Sequence, residues 1–127
     1  MITARHLMKQ DLAKVSHLSS VSDAAQVMKD RKIGSVFVEQ QGRIVGIVTE
    51  TDIVRQAVGP GRPARLIPVR EIMSSPVVGI DEHRPITEAA DLMERNGTRH
   101  LAVLRFGSIV GVLSVRDLLH PVAIDEF

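Results

Sequence analysis

Gly46-Ile47-Val48-Thr49-Glu50-Thr51-Asp52 runs an apolar strand candidate into a hydroxyl residue, with an aspartate three positions further on. Gly111-Val112-Leu113-Ser114-Val115-Arg116-Asp117 repeats it, and the offset is 65 residues at the glycine, at the hydroxyl and at the aspartate. Each stretch reads as a strand that delivers a small hydroxyl and a carboxylate to the start of a helix. Everything else in the chain can be arranged around these two junctions.

Working outward from them, residues 8–55 align with 73–120 without a gap, and ten of the 48 pairs are identical. About three would be expected from ordinary residue usage. The identities include Met8/Met73, Ala24/Ala89, Ala25/Ala90, Met28/Met93, Gly46/Gly111 and Asp52/Asp117. Two copies point to a pseudo-twofold arrangement rather than a solenoid. The boundaries expected from the pattern are a first repeat at 1–58, a linker at 59–69 and a second repeat at 70–127.

Within each copy the order reads β-α-β-β-α. Leu12–Ser16 and Val77–Asp81 are short strand candidates. Val21, Ala24, Ala25 and Met28 then fall at i, i+3, i+4 and i+7, and Ile86, Ala89, Ala90 and Met93 repeat that stripe. Ser20 with Asp23, and Pro85 in the second copy, are helix-start signals. Val36–Glu39 with Arg43–Val48, and Leu101–Leu104 with Ile109–Leu113, read as hairpins with glycine in the turn. Glu50–Val58 and Val115–His120 are closing helices, the second ended by Pro121. The expected fold class is α+β, with each repeat a small mixed sheet packed against helices. The repeat-matched methionines are expected to pack in the core. Two glycines and two prolines in Gly59–Pro63 mark a surface connector whose arginines are most simply solvated.

Composition removes several function classes. The 127 residues are 44% hydrophobic and 24% charged, which fits a compact globular chain. No apolar run approaches the ~20 residues a membrane span needs, and the N-terminus lacks a signal-peptide pattern. A cytoplasmic location is the expectation. Cysteine is absent, and the five histidines show no metal-ligand spacing. A net charge of +1 and three phenylalanines as the sole aromatics argue against a dedicated nucleic-acid surface, although Arg62, Arg65 and Arg70 could form a weak one. No G-x-S-x-G, phosphate loop or dinucleotide fingerprint occurs, so no enzyme is expected.

A hydroxyl followed three residues on by an acid is also what a helix capping box looks like, with Asp in place of Glu. That reading explains either junction alone. The functional reading gives the carboxylate to the two hydroxyls of a ribose and the helix start to a phosphate. Gly46 and Gly111 would let a flat base or a neighbouring backbone approach the strand.

The paired G-h-h-[ST]-x-x-D signature, the hairpin before it and the Ala-Ala-x-x-Met helix resemble the cystathionine-β-synthase (CBS) domain. Two copies resemble a tandem CBS pair, or Bateman module, over roughly residues 1–121. The resemblance implies a regulatory module that binds AMP, ADP or ATP, with S-adenosylmethionine or NAD as alternatives, in clefts between the repeats. It implies a homodimer and an effector protein signalled in trans, with no required cofactor, no membrane partner and no metal. Carried over by position, Asp52 and Asp117 match the ribose-binding aspartates, and Thr49 and Ser114 the hydroxyls beside them. Leu12, Ala13, Val77 and Val78 match the segment contacting the base, and Ser35-Val36 and His100-Leu101 the segment entering the second strand. Arg116, with Arg99 and His100, offers cations to phosphates at the second site, so that site is expected to take the more highly phosphorylated ligand. One departure is that Phe37 and Ala102 stand where the family often has proline, so Phe37 either stacks on a base or fills the site. The alternative function is a dimerisation module with non-binding clefts.

Overall fold

The computed structural model describes residues 1–119. The end of the expected second closing helix at His120, and its stop at Pro121, lie outside the described residues. In order, the elements are α1 (Ala4–Leu7), β1 (Lys14–Ser16), α2 (Val21–Arg31), β2 (Ser35–Gln40), β3 (Arg43–Thr49) and α3 (Glu50–Ile53). A π-helical turn, Val54–Val58, and two 3-10 turns, Ala64–Leu66 and Val69–Glu71, follow. The chain continues through β4 (Gly79–Asp81), α4 (Ile86–Asn96), β5 (His100–Arg105), β6 (Ser108–Ser114) and α5 (Val115–Leu118).

These elements form two compact units. The first is Ala13–Val77; the second joins Met1–Leu12 to the chain from Val78 onward. Each holds one three-stranded sheet, ordered β1-β2-β3 or β4-β5-β6. The first pair in each sheet is parallel and the second antiparallel. A parallel pair needs a crossover, which α2 and α4 supply. The antiparallel pairs are two-residue hairpins, Gln41-Gly42 and Phe106-Gly107, with all four φ values positive. Such turns match the twist of the flanking strands. The α+β expectation of two mixed sheets packed with helices is what the structure contains.

Alternation along the central strands sorts the side chains. Val36 and Val38 enter the core of the first unit with Val21, Ala24, Met28 and Val48. Leu101 and Val103 enter the second with Ala89, Met93 and Leu113. Phe37, between two core valines, is 2% exposed and lies opposite Ile47 across the ladder. Ala90 is exposed, so the apolar stripe of α4 is narrower than its sequence spacing implies.

The strands begin two residues later than expected, at Lys14 and Gly79, because the preceding residues serve a different purpose. They end two arms, each of which completes one unit. In the second unit Ala4 N bonds to Arg84 O, Ile86 N to Ile2 O, and Lys9 exchanges both backbone bonds with Val112. In the first, Val69 N bonds to Ser19 O, Val21 N to Ile67 O, and Ser74 exchanges both with Ile47. All these pairs are related by the same 65-residue offset. The arms also bring core side chains: Ala4 and Met8 to one unit, and Ile67, Val69 and Ile72 to the other.

Gly46 and Gly111 are explained by the arms. A Cβ on Gly111 would lie 2.6 Å from Met8 Sδ and 3.1 Å from Lys9 O; one on Gly46 would lie 2.5 Å from Met73 Sδ and 3.0 Å from Ser74 O. The close approach is therefore made by protein backbone and a methionine in both copies.

Candidate functional site

The two junctions close in the same way. Thr49 is extended and caps α3: its Oγ1 accepts from Asp52 N at 3.2 Å, while Asp52 Oδ2 accepts from Thr49 N at 2.9 Å and from Thr49 Oγ1 at 3.0 Å. Ser114 caps α5 with the corresponding bonds to Asp117 at 3.3, 2.8 and 3.0 Å. These are complete capping boxes, and such a cap stabilises a helix start by about 1 kcal/mol. Of the two carboxylate oxygens, Oδ2 alone takes part in each box. The first closing segment is helical over the expected Glu50–Val58, but only Glu50–Ile53 is α-helical; Val54–Val58 is a π-helical turn, with Gly59 N reaching back five residues to Val54 O.

Surroundings fix the rest of each junction. Glu50 N bonds to Gly34 O, and Val115 N bonds to Arg99 O, which holds the loop before the central strand against the helix start. The arm runs alongside, with Ser74 paired to β3 and Lys9 to β6. Asp117 is 5% exposed, and its Oδ1 lies 3.8 Å from Lys9 Nζ. Lys9 was not among the residues singled out from sequence. The repeat offset pairs it with Ser74, and nothing local to residue 9 signals that it meets Asp117.

The other candidates are placed unevenly. Val36 and Leu101 have side chains at 1% and 0% exposure in the cores, which leaves their backbone as the part that can meet a ligand. Ala13 and Ser35 are also buried. Leu12, Val77, Val78 and His100 are half-buried, and Arg116 and Arg99 are exposed. Ala13 O and Val78 O are already used, accepting from Phe37 N and Ala102 N. Arg62 is not simply solvated: it pairs with Glu71 at 3.1 Å and donates to Gln56 O, which takes it out of a free basic surface.

A buried acid outside the junctions is accounted for structurally. Glu82, 2% exposed, accepts from Arg105 Nε at 2.5 Å and Nη2 at 3.0 Å, with Arg5 Nε 3.9 Å away. The Arg105 hydrogen bonds hold its carboxyl below the ordinary glutamate range, against desolvation, which pushes the other way. Among the described residues no cluster of three or more His, Cys, Asp or Glu could hold a metal ion. No described helix is long and apolar enough to cross a membrane.

With this geometry in hand, comparison with known proteins is decisive at the family level. The model of the CBS domain matches twice, over residues 4–59 and 69–123. The chain belongs to the CBS-domain family. A 17.7 kDa uncharacterised protein of Acidianus ambivalens is 39% identical to it over 101 residues, 78% of this chain and 60% of the relative. The chain thus spans less than two thirds of that relative's length. A CBS-domain protein of Burkholderia ambifaria MC40-6, provisionally assigned to signal transduction, superposes with a TM-score of 0.93 at 30% identity, over 99% of this chain and 97% of that one. A hexameric CBS-CP12 protein from bloom-forming cyanobacteria gives a TM-score of 0.89 at 29% identity, over 99% and 74%. The tandem CBS pair read from the repeat agrees with the two family-model matches and with the two CBS-domain structures.

Proposed function

We propose that this CBS pair is a regulatory module that binds an adenosine-containing ligand and passes its occupancy to another protein. The ligand is AMP, ADP or ATP, with S-adenosylmethionine or NAD as alternatives. Ribose hydroxyls donate to Asp52 and Asp117, with Thr49 and Ser114 beside them. Backbone at Leu12-Ala13, Val77-Val78, Ser35-Val36 and His100-Leu101 receives the base through groups other than Ala13 O and Val78 O, which accept from Phe37 N and Ala102 N. The observation that carries this reading is that both boxes engage Oδ2 alone. An ionised carboxylate has roughly four lone-pair sites, so Oδ1 retains capacity to accept from a sugar hydroxyl.

Signalling follows from differential binding: a ligand that favours one arrangement of the module shifts the population toward it. The output is made in trans, by a homodimer or larger assembly acting on an effector in the cytoplasm. The signal-transduction assignment of the Burkholderia neighbour and the hexamer of the cyanobacterial one support that reading. Catalysis forms no part of it.

A second reading, a dimerisation module that holds no ligand, draws on two facts. Each box is complete without a ligand, and Val54 and Leu119, related by the repeat offset, are 58% and 61% exposed. Thermal denaturation with AMP, ATP, S-adenosylmethionine and NADH separates the two. A ligand at one hundred times its Kd adds about 2.7 kcal/mol to stability. A rise in Tm with any of the four supports the sensor; no rise with all four, alongside a dimer in sedimentation, establishes the scaffold.

A further inference from the structure

The two junctions share a backbone and differ in charge at each flanking position. Beside Thr49 and Asp52 stand Gly34, whose carbonyl takes the Glu50 amide, then Glu50 and Thr51 in the helix, and Ser74 from the arm. The matched residues beside Ser114 and Asp117 are Arg99, Val115, Arg116 and Lys9. One set holds a single acid and no cation; the other holds three cations and no acid. Seven of the eight are exposed, Gly34 being half-buried, so the charges face water rather than the cores.

Lys9 is the cation whose position the structure fixes best. Its backbone is pinned on both sides to Val112, and its ammonium stands 3.8 Å from Asp117 Oδ1 while its side chain remains 65% exposed. At 3.8 Å, with its side chain mostly in water, Lys9 is a loose partner for the carboxylate, whose Oδ2 is held by Ser114 through the cap. The arm therefore holds an ammonium beside a carboxylate that the cap already positions.

We infer that Lys9 sets the ligand class of the Ser114/Asp117 station, which takes a phosphorylated nucleoside, whereas the Thr49/Asp52 station takes a neutral or cationic one. The inference rests on the proposed nucleotide binding. When a ribose hydroxyl bonds to Asp117, Lys9 turns from the carboxylate to the phosphate, and Arg116 and Arg99 add to the positive field. Ser74 provides no such charge at the other station, and Glu50 repels phosphate.

Calorimetry on the full chain with adenosine, AMP and ATP tests this, using wild type, Lys9→Ser, Lys9→Arg and Lys9→Ser/Ser74→Lys. One unit charge about 4 Å from a phosphate in water corresponds to roughly five-fold in affinity. Wild type should bind AMP and ATP at one station more tightly than adenosine, with the preference shrinking at high salt. Lys9→Ser should lower AMP affinity about five-fold relative to that of adenosine, which carries no phosphate for Lys9 to meet. Lys9→Arg should keep the preference, and the double variant should create one at the other station. An AMP-to-adenosine ratio unchanged within two-fold in Lys9→Ser overturns the role of Lys9, while AMP binding itself upholds the nucleotide reading. Absence of binding by all three ligands in wild type overturns both.

Discussion

Replacing Gly111 by alanine tests whether the arm, rather than a ligand, explains the glycine. The added Cβ would sit 2.6 Å from Met8 Sδ, 3.0 Å from Met8 Cγ and 3.1 Å from Lys9 O. The thioether cannot swing freely away, because Met8 is 9% exposed within the core of the second unit. Lys9 O is also tied, accepting from Val112 N at 3.0 Å. Overpacking of this kind costs about 1–3 kcal/mol, from which the usual gain of alanine over glycine in a strand removes about 0.5–1. A net loss of up to about 2.5 kcal/mol is expected in urea unfolding. Hydrogen exchange locates it: the Lys9 and Val112 amides should lose protection, while those of Ile47 and Ser74 keep theirs. Combining Gly111→Ala with Met8→Ala vacates the space, so the double variant should be at least ~1 kcal/mol more stable than the sum of the singles. Additive losses, or a Gly111→Ala protein with unchanged protection at Lys9, would refute the argument.

Other expectations follow from the same contacts. Asp117→Ala should cost about 1 kcal/mol in ligand-free unfolding through the lost cap, and should also abolish nucleotide-dependent stabilisation at that station; a binding loss without a stability loss would contradict the capping geometry. The folded Glu82 carboxyl titrates below its unfolded value, so the stability it contributes is present at neutral pH and fades as pH falls below the ordinary glutamate range; Glu82→Gln should flatten that part of a stability–pH curve. Lys32 ends α2 at φ 56°, ψ 46°, where Gly97 ends α4 at φ 61°, so Lys32→Gly should raise stability by about 1 kcal/mol in urea unfolding. A fragment of Ala13–Val77 should show cooperative unfolding, whereas residues 1–58 should not, since the latter lack Ile67, Val69 and Ile72 from the core they would have to form.

That last expectation marks where sequence reading met its limit. The helix stripes, hairpins and capping residues are local, so their spacing displays them: Ser20 with Asp23, and the apolar positions Val21, Ala24 and Met28, are found where their periodicity places them. The 65-residue offset revealed the duplication. It could not reveal that the segment leading into each repeat completes the other unit, because a repeat alignment is unchanged by which copy an arm packs against. Gly46 and Gly111 were legible as sites of close approach, but not what approaches. Phe37 was legible as a departure, and its burial depends on its place in the middle of β2, which spacing alone does not give. Lys9 stayed hidden for the reason the arms did.

Side-chain divergence at the two junctions bears on function because folding does not require it. Thr49 with Asp52 and Ser114 with Asp117 must be a hydroxyl and an acid to close the boxes, and they are. Surface substitutions away from such bonds usually change stability by less than about 0.5 kcal/mol. Glu50/Val115, Thr51/Arg116 and Ser74/Lys9 are positions of that kind, with side chains toward solvent, and Arg99 is exposed where its match, Gly34, is half-buried and has no side chain. A fold built twice on one plan could carry the same residues at all four pairs. It instead carries three cations at one junction and an acid at the other, a divergence on which the proposed difference in ligand class rests.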